Sequence, residues 1–251
     1  MTTRYLCLKG IIFCVGILFL PTTTWSQVST EVTQANQLYN QGQFREAAEI
    51  YERVITDGVE NGHLYYNLGN THYRMGNLTK AILNYIKAQN LLPRNEDVEA
   101  NLEHAIRQTV DQLDGRKPHA LETILFWIRD LNLNEHLLAL FWINLAFWIS
   151  MVVWLQHQNP TTQATRSILL AFLILALIST GFRWHQETRH ATGVVLPQQI
   201  DVHSGWNPTT MVLFQLHQGT VISISQEKEN WYEIELPDAK KGWTLKSNIA
   251  G

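Results

Sequence analysis

Cys7 and Cys14 are the two thiols of this 251-residue chain, and both fall within its first 20 residues. A thiol nucleophile, a disulfide framework or a cysteine-based zinc site in the rest of the chain is thereby excluded. The ten histidines are scattered and form no cluster with carboxylates; His203 and His217 keep no metal-ligand spacing. There is no Gly-rich phosphate loop ending in Lys-Ser/Thr, no HExxH and no GxSxG. These absences point to a non-enzyme with no cofactor and no metal site. What remains is binding chemistry: amides, phenols and nine indoles, five of which (Trp127, Trp142, Trp148, Trp154 and Trp184) lie in or beside one apolar stretch.

The elements that would position these groups follow from composition. The chain is 45% hydrophobic and 16% charged, with a net charge of −3. No basic footprint marks a nucleic-acid binder. A mean hydropathy of −0.12 argues against a polytopic transporter, and the apolar residues are gathered in blocks. Residues 1–26 read as an export signal: Arg4 and Lys9 form a basic start, Ile11 to Leu20 an apolar core, and Thr24-Trp25-Ser26 a cleavage site. An uncleaved anchor is the alternative. Residues 137–155 and 167–184 are 19- and 18-residue apolar blocks, adequate for membrane crossing at 1.5 Å per residue. A pair of buried core helices is the competing reading. Asn144 interrupts the first block and could pair with Ser179 or Thr180 across the hairpin, or be a tolerated polar residue. Before the first span, residues 118–133 place Leu121, Ile124, Leu125, Ile128 and Leu131 at helical spacing. This suggests an amphipathic interfacial helix or, failing that, a packed connector. With an exported N-terminus, the 156–166 loop is cytoplasmic and both soluble parts lie beyond the membrane.

Residues 31–93 repeat with a period of 34. Ala35 recurs as Gly69, Gly42 as Gly76, Phe44 as Leu78, Ala47 as Ala81, Tyr51 as Tyr85 and Val54 as Ala88. Such a period signals stacked helical hairpins, with small residues at close helix approaches and glycine at the turns. These residues resemble the tetratricopeptide repeat: Tyr65, Leu68, Gly69, Gly76, Ala81, Tyr85, Ala88 and Pro93 fall at its signature positions, while His72 stands where an aromatic is usual. Residues 95–113 make a capping helix, so the repeat region covers 27–114. The resemblance implies a concave groove that binds an extended peptide, lined by Asn36, Tyr39, Tyr66, Asn67, Asn70 and Tyr73, with Val32 also facing it. Asn36 and Asn67 match the asparagines of the carboxylate-clamp subtype. Val32 and Asp97 replace its lysines, which puts carboxylate capture in doubt. A merely polar face is the alternative.

After Arg189 short alternating runs take over: 194–196, 212–214, 221–224, 231–236 and 242–245, separated by turn signals. Five short strands in about 60 residues suggest a small barrel. The strings Val202-His203-Ser204-Gly205, Leu213 to Thr220, Asn230 to Ile234 and Lys241-Gly242-Trp243 resemble a bacterial SH3 domain over 191–251. That resemblance implies a surface for peptidoglycan peptides or proteins, with Trp206, Trp231, Tyr232 and Trp243 as exposed candidates, although Trp231 and Trp243 also suit the core.

The expected fold is therefore a multidomain membrane protein: all-α tetratricopeptide repeats, a transmembrane helix hairpin and a small all-β SH3-like barrel. This order resembles the BatE-type family of the bacterial aerotolerance (Bat) operon. The resemblance implies a multi-pass inner-membrane scaffold in envelope stress, with both soluble parts periplasmic and von Willebrand factor A domain proteins as partners. A cell-wall sensor that binds peptidoglycan through the SH3-like part is the alternative.

Overall fold

The computed structural model describes residues 24–111, 126–189 and 191–251. Most of the export signal and residues 118–125 of the interfacial segment lie outside the described residues.

Five helices open the structure: α1 (Thr24–Asn40), α2 (Phe44–Thr56), α3 (Gly62–Arg74), α4 (Leu78–Leu91) and α5 (Glu96–Ile106). Helix α1 runs through Thr24-Trp25-Ser26, so the expected cleavage site lies in its first turn. The 34-residue period is repeated in the backbone. Gly42 and Gly76 take φ of +79° and +76°, the left-handed region where a Cβ is costly. Each is followed by the same helix-ending bond, Gln43 N–H to the Leu38 carbonyl and Asn77 N–H to the His72 carbonyl, both 2.9 Å. The small residues stand where helices touch. Ala35, Ala47 and Ala81 are fully buried, and a Cβ on Gly69 would fall 2.7 Å from the Tyr85 ring. Helix α4 stops just before Pro93, which cannot continue it. The fifth helix of the stack, expected to span 95–113, ends at Ile106, and residues 107–110 form turns and bends.

A five-residue helix α6 (Phe126–Asp130) leads to α7 (Leu133–Gln156) and α8 (Pro160–Arg189). Both long helices exceed the expected spans. Their connection is only residues 157–159, not 156–166: Asn159 Oδ1 accepts the Thr162 N–H at 2.8 Å and Pro160 fills the first helical position, so the second helix starts earlier. Helices α7 and α8 pack along their length, and α6 lies against α8. Each long helix is long and apolar enough to cross a membrane, and no residue of the most apolar stretch of α7 is buried inside the protein. Phe141, Trp142, Leu170 and Ile178 all stand exposed. A core helix of a water-soluble protein does not present itself this way.

Asn144 does not reach Ser179 or Thr180. It is exposed, while Ser179 Oγ lies 3.4 Å from His136 Nδ1, both residues buried. The helices run antiparallel, and eight residues separate His136 from Asn144. The amide is therefore about 12 Å too deep to meet Ser179.

The C-terminal part is one antiparallel sheet in the order β3-β2-β6-β5-β4-β1-β7. Its strands are β1 (Ala191–Val195), β2 (Gln199–His203), β3 (Val212–His217), β4 (Val221–Lys228), β5 (Trp231–Glu235), β6 (Lys241–Leu245) and β7 (Ile249–Ala250). Two strands exceed the five read from alternation. β2 does alternate, Gln-Ile-Asp-Val-His with Ile200 and Val202 buried, but over only five residues, and β7 has only two residues and no period. Val195, Val202, Leu216, Ile222 and Ile234 form the sheet's core.

The stack and the sheet meet. Val194 and Val221 of the sheet pack into the same cluster as Ala81, Ile82, Tyr85, Leu102 and Ala105 of α4 and α5. The stack also touches the start of α7. Asn132 caps that helix in a reciprocal pair with Glu135, and its Nδ2 donates to the Leu91 carbonyl at 3.0 Å. Arg94 pairs with Glu135 at 2.5 Å. Helix α8 ends where β1 begins, so stack and sheet sit together at one end of the helical pair.

Candidate functional site

The repeat stack builds its cleft from a ladder of side chains that itself repeats every 34 residues. Tyr51 O–H donates to Asn36 Oδ1 at 2.5 Å, and Tyr85 O–H donates to Asn70 Oδ1 at 2.7 Å. The Asn67 amide N–H donates to Asn36 Oδ1 at 3.2 Å, and the Asn101 amide N–H donates to Asn70 Oδ1 at 3.0 Å. Each asparagine carbonyl thus ties a first helix to its own second helix and to the first helix of the next unit. Burial, with a smaller contribution from Tyr39, pushes the Tyr51 phenol up to about 12. Burial pushes Tyr85 upward as well, reinforced by Tyr66, Tyr39 and Tyr73. Both phenols therefore stay protonated as donors.

This pairing sets what the cleft offers. The carbonyls of Asn36 and Asn70 are spoken for, leaving their Nδ2 groups as donors. Asn67 and Asn101 spend N–H groups, leaving their Oδ1 atoms as acceptors. A cavity of about 340 Å³ is lined by Asn36, Tyr39, Asn40, Tyr51, Asn67 and Asn70. Four of the six expected groove residues, Asn36, Tyr39, Asn67 and Asn70, therefore line it together. Tyr66 is set further along and takes a bond from Asn101 at 3.0 Å. Tyr73 is drawn away toward α5, with its hydroxyl 2.9 Å from His104 Nε2 and 2.5 Å from Gln108 Nε2.

Asn40, Tyr51, Asn101, His104 and Gln108 were not among the expected groove residues. The offset that identified the first two units also reaches α5, since 67 plus one period is 101 and 70 plus one period is 104. Helix α5 thus supplies the ladder as the first helix of a further unit would. At the positions of the missing clamp lysines, Val32 packs partly buried against the core and Asp97 is exposed.

On the sheet, the expected aromatic surface divides. Trp206 is 46% exposed, whereas Trp231 and Trp243 are 7% and 8% exposed and so, of the four candidates, take the core placement that the sequence also allowed them. Trp243 lies on β6, between β2 and β5, and a small core at a central strand needs large rings to fill it. Trp243 still stands edge-on to Trp206 at 5.7 Å. Lys228 Nζ sits 3.2 Å over the Trp206 ring, and Lys246 lies over the half-buried Tyr232 while pairing with Glu227. The exposed aromatic is therefore covered by one cation, Lys228.

Between the two parts, Asp111 reaches from the end of the stack into the β3–β4 turn. Its Oδ2 accepts the His217 backbone N–H at 2.6 Å and stands 2.7 Å from Thr220 Oγ1, while its Oδ1 is 2.9 Å from His217 Nδ1. Burial would raise this carboxyl, but the hydrogen bonds from Thr220 and His217 outweigh it and hold it below the usual carboxylate range. Among the described residues no group of three or more His, Cys, Asp or Glu gathers as a metal site.

Residues 62–95, which span α3 and α4, match the tetratricopeptide repeat family. No curated protein matches the chain.

Proposed function

We propose that this chain is a membrane-anchored protein–protein interaction scaffold of the bacterial envelope, which holds an extended segment of a partner protein in the cleft of Asn36, Tyr39, Asn67 and Asn70. Tyr66 and Tyr73 extend that groove toward α5. The observation that carries this reading is the amide ladder. Donors at 36 and 70 alternate with acceptors at 67 and 101, which suits the alternating N–H and C=O groups of an extended backbone. Tetratricopeptide repeats are typically scaffolds rather than enzymes, in keeping with this reading.

Export through residues 1–26, with crossings near 137–155 and 167–184, would put the repeat region and the 191–251 module together on the periplasmic face of the inner membrane. The location of stack and sheet at one end of α7 and α8 supports that topology. By its resemblance to the BatE-type family, the partner class is the von Willebrand factor A domain membrane proteins and the setting is stress or oxygen tolerance. To test the groove, a photo-crosslinking residue is placed at Tyr39 of the full chain in native membranes and the captured proteins are identified. The groove reading expects a discrete partner that is lost in Asn67→Ala. Identical capture with and without Asn67→Ala rejects it.

A second reading, a cell-wall sensor, is favoured by Trp206, an exposed indole flanked by Lys228 on an SH3-like module. On this reading Trp206 and Tyr232 contact peptidoglycan, with Trp231 and Trp243 forming the floor beneath them. Detergent-solubilised full chain should then sediment with purified sacculi, and Trp206→Ala should not. No sedimentation of the unaltered chain removes this reading.

A further inference from the structure

We propose that two copies of this chain associate side by side in the membrane through the Asn144 face of α7, the two Asn144 amides pairing across a two-fold axis along the membrane normal. The inference rests on the reading that α7 and α8 cross the bilayer.

Asn144 lies near the middle of the apolar run 137–155, which puts it close to the bilayer midplane. It is exposed and has no hydrogen-bond partner among the described residues. Its own hairpin has no partner to give: at its depth α8 presents Leu170, Ala171, Phe172 and Leu173, all apolar. An amide in hydrocarbon, where no water reaches, strongly favours another hydrogen-bonding group.

The surface around it is shaped for a neighbour. Leu137, Phe141 and Asn144 follow one another at helical spacing on one exposed face. Beside them a groove of about 310 Å³ runs between α7 and α8, lined also by Leu140, Leu173 and Leu177. That volume accepts a large apolar side chain from a facing helix.

The occupant must present a polar group at the midplane and apolar residues above and below it. A second copy with the same topology does so without further requirement, because its Asn144 lies at the same depth by symmetry. An amide is also self-complementary, since each asparagine supplies both an N–H and a C=O. An isologous interface is the commonest symmetric contact.

Testing uses the full chain carrying Cys7→Ser and Cys14→Ser, oxidised in native membranes. Phe141→Cys, one helical turn from Asn144 on the same exposed face and leaving the amide in place, should yield a disulfide-linked homodimer. Trp142→Cys, exposed on the opposite side of α7 at nearly the same depth, should not. In vesicles of neutral phospholipid, energy transfer between labelled full-length chains should show self-association that Asn144→Leu weakens on the order of fivefold and Asn144→Gln largely restores. No homodimer from Phe141→Cys, or crosslinking only to a different protein, overturns the proposal. A carbonate wash distinguishes the two levels of failure. A chain that stays in the membrane without dimerising sinks this inference alone, whereas release into the wash sinks the membrane reading beneath it.

Discussion

Asp111 and His217 are 106 residues apart in the chain and meet twice, through the backbone N–H at 2.6 Å and the ring Nδ1 at 2.9 Å. With Thr220 on the same carboxylate, this one side chain pins the end of the helical stack to the β3–β4 turn. The apolar part of the same joint is Val194 and Val221 against Ile82 and Leu102. A repeat stack cannot bury its own last face, and here the sheet covers it. The aromatic face around Trp206 takes no part in that contact. The joint therefore holds two candidate binding surfaces in one orientation.

Asp111→Asn should loosen this joint. The asparagine keeps one acceptor but turns an N–H toward donors, at a cost of about 1–3 kcal/mol. Hydrogen exchange at the His217 amide should accelerate in the variant and not in Asp57→Asn, whose side chain is exposed. The wild-type joint should depend on pH in a defined sense. Because the folded Asp111 carboxyl titrates below its ordinary range, its contribution is complete above the unfolded value of about 4 and is lost as pH falls through the lower folded value. The protection factor at His217 should fall over that acid window in the wild type, and this component should be absent from Asp111→Asn.

Gly219→Ala should damage the same joint by sterics. Its φ is +86°, and an added Cβ would sit 2.8 Å from Thr109 Cγ2. Gly58→Ala is the comparison: φ is +91° but nothing lies within 4 Å. Both carry a backbone cost of about 1–2 kcal/mol, while only Gly219→Ala should also raise protease sensitivity between stack and sheet. Equal protease sensitivity in the two variants would show that the Thr109 contact is immaterial.

Tyr51→Phe and Tyr85→Phe should destabilise the stack by similar amounts, about 0.5–1.5 kcal/mol each. Each removes one donor from an asparagine carbonyl that keeps a second. Chemical denaturation of the detergent-solubilised chain measures both. A large inequality would show that the ladder is not energetically periodic.

His72→Leu should stabilise the protein. The ring is 3% exposed, its nitrogens make no hydrogen bond of good geometry, and the nearest acceptor, Glu52 Oε1, lies 3.3 Å away. Burial, helped by Lys80, lowers its pKa despite Glu52. The unfolded chain therefore binds the proton more readily, and the penalty grows as pH falls below about 6.5. Leu38 already occupies the same place in the first unit. A gain of about 1 kcal/mol at neutral pH, larger at pH 5, is expected in thermal melts.

The helical hairpins were legible because their information is local and periodic. Ala47 and Ala81, Tyr51 and Tyr85, and Gly42 and Gly76 mark a 34-residue beat that needs no knowledge of the partner helix. The two long apolar helices were legible for the same reason, as runs of one residue class. Asn101 was missed although the same offset reaches it, because its helix carries few of the repeat's marker residues and reads as a simple cap. Trp231 and Trp243 were ambiguous because an aromatic in a short strand suits either face, and only the strand order puts β6 between two neighbours.

By itself the sequence determined the kinds of element and their order: paired helices, two membrane-length helices, and a strand-rich end. The tertiary structure alone decided that Asp111 belongs with His217, that Asn144 faces outward while Ser179 goes to His136, and that the asparagine amides alternate donor with acceptor. Those facts depend on contacts between residues tens to a hundred positions apart. No periodicity encodes such pairs, and they exist only once the apolar faces have packed and fixed which polar groups are left to find one another.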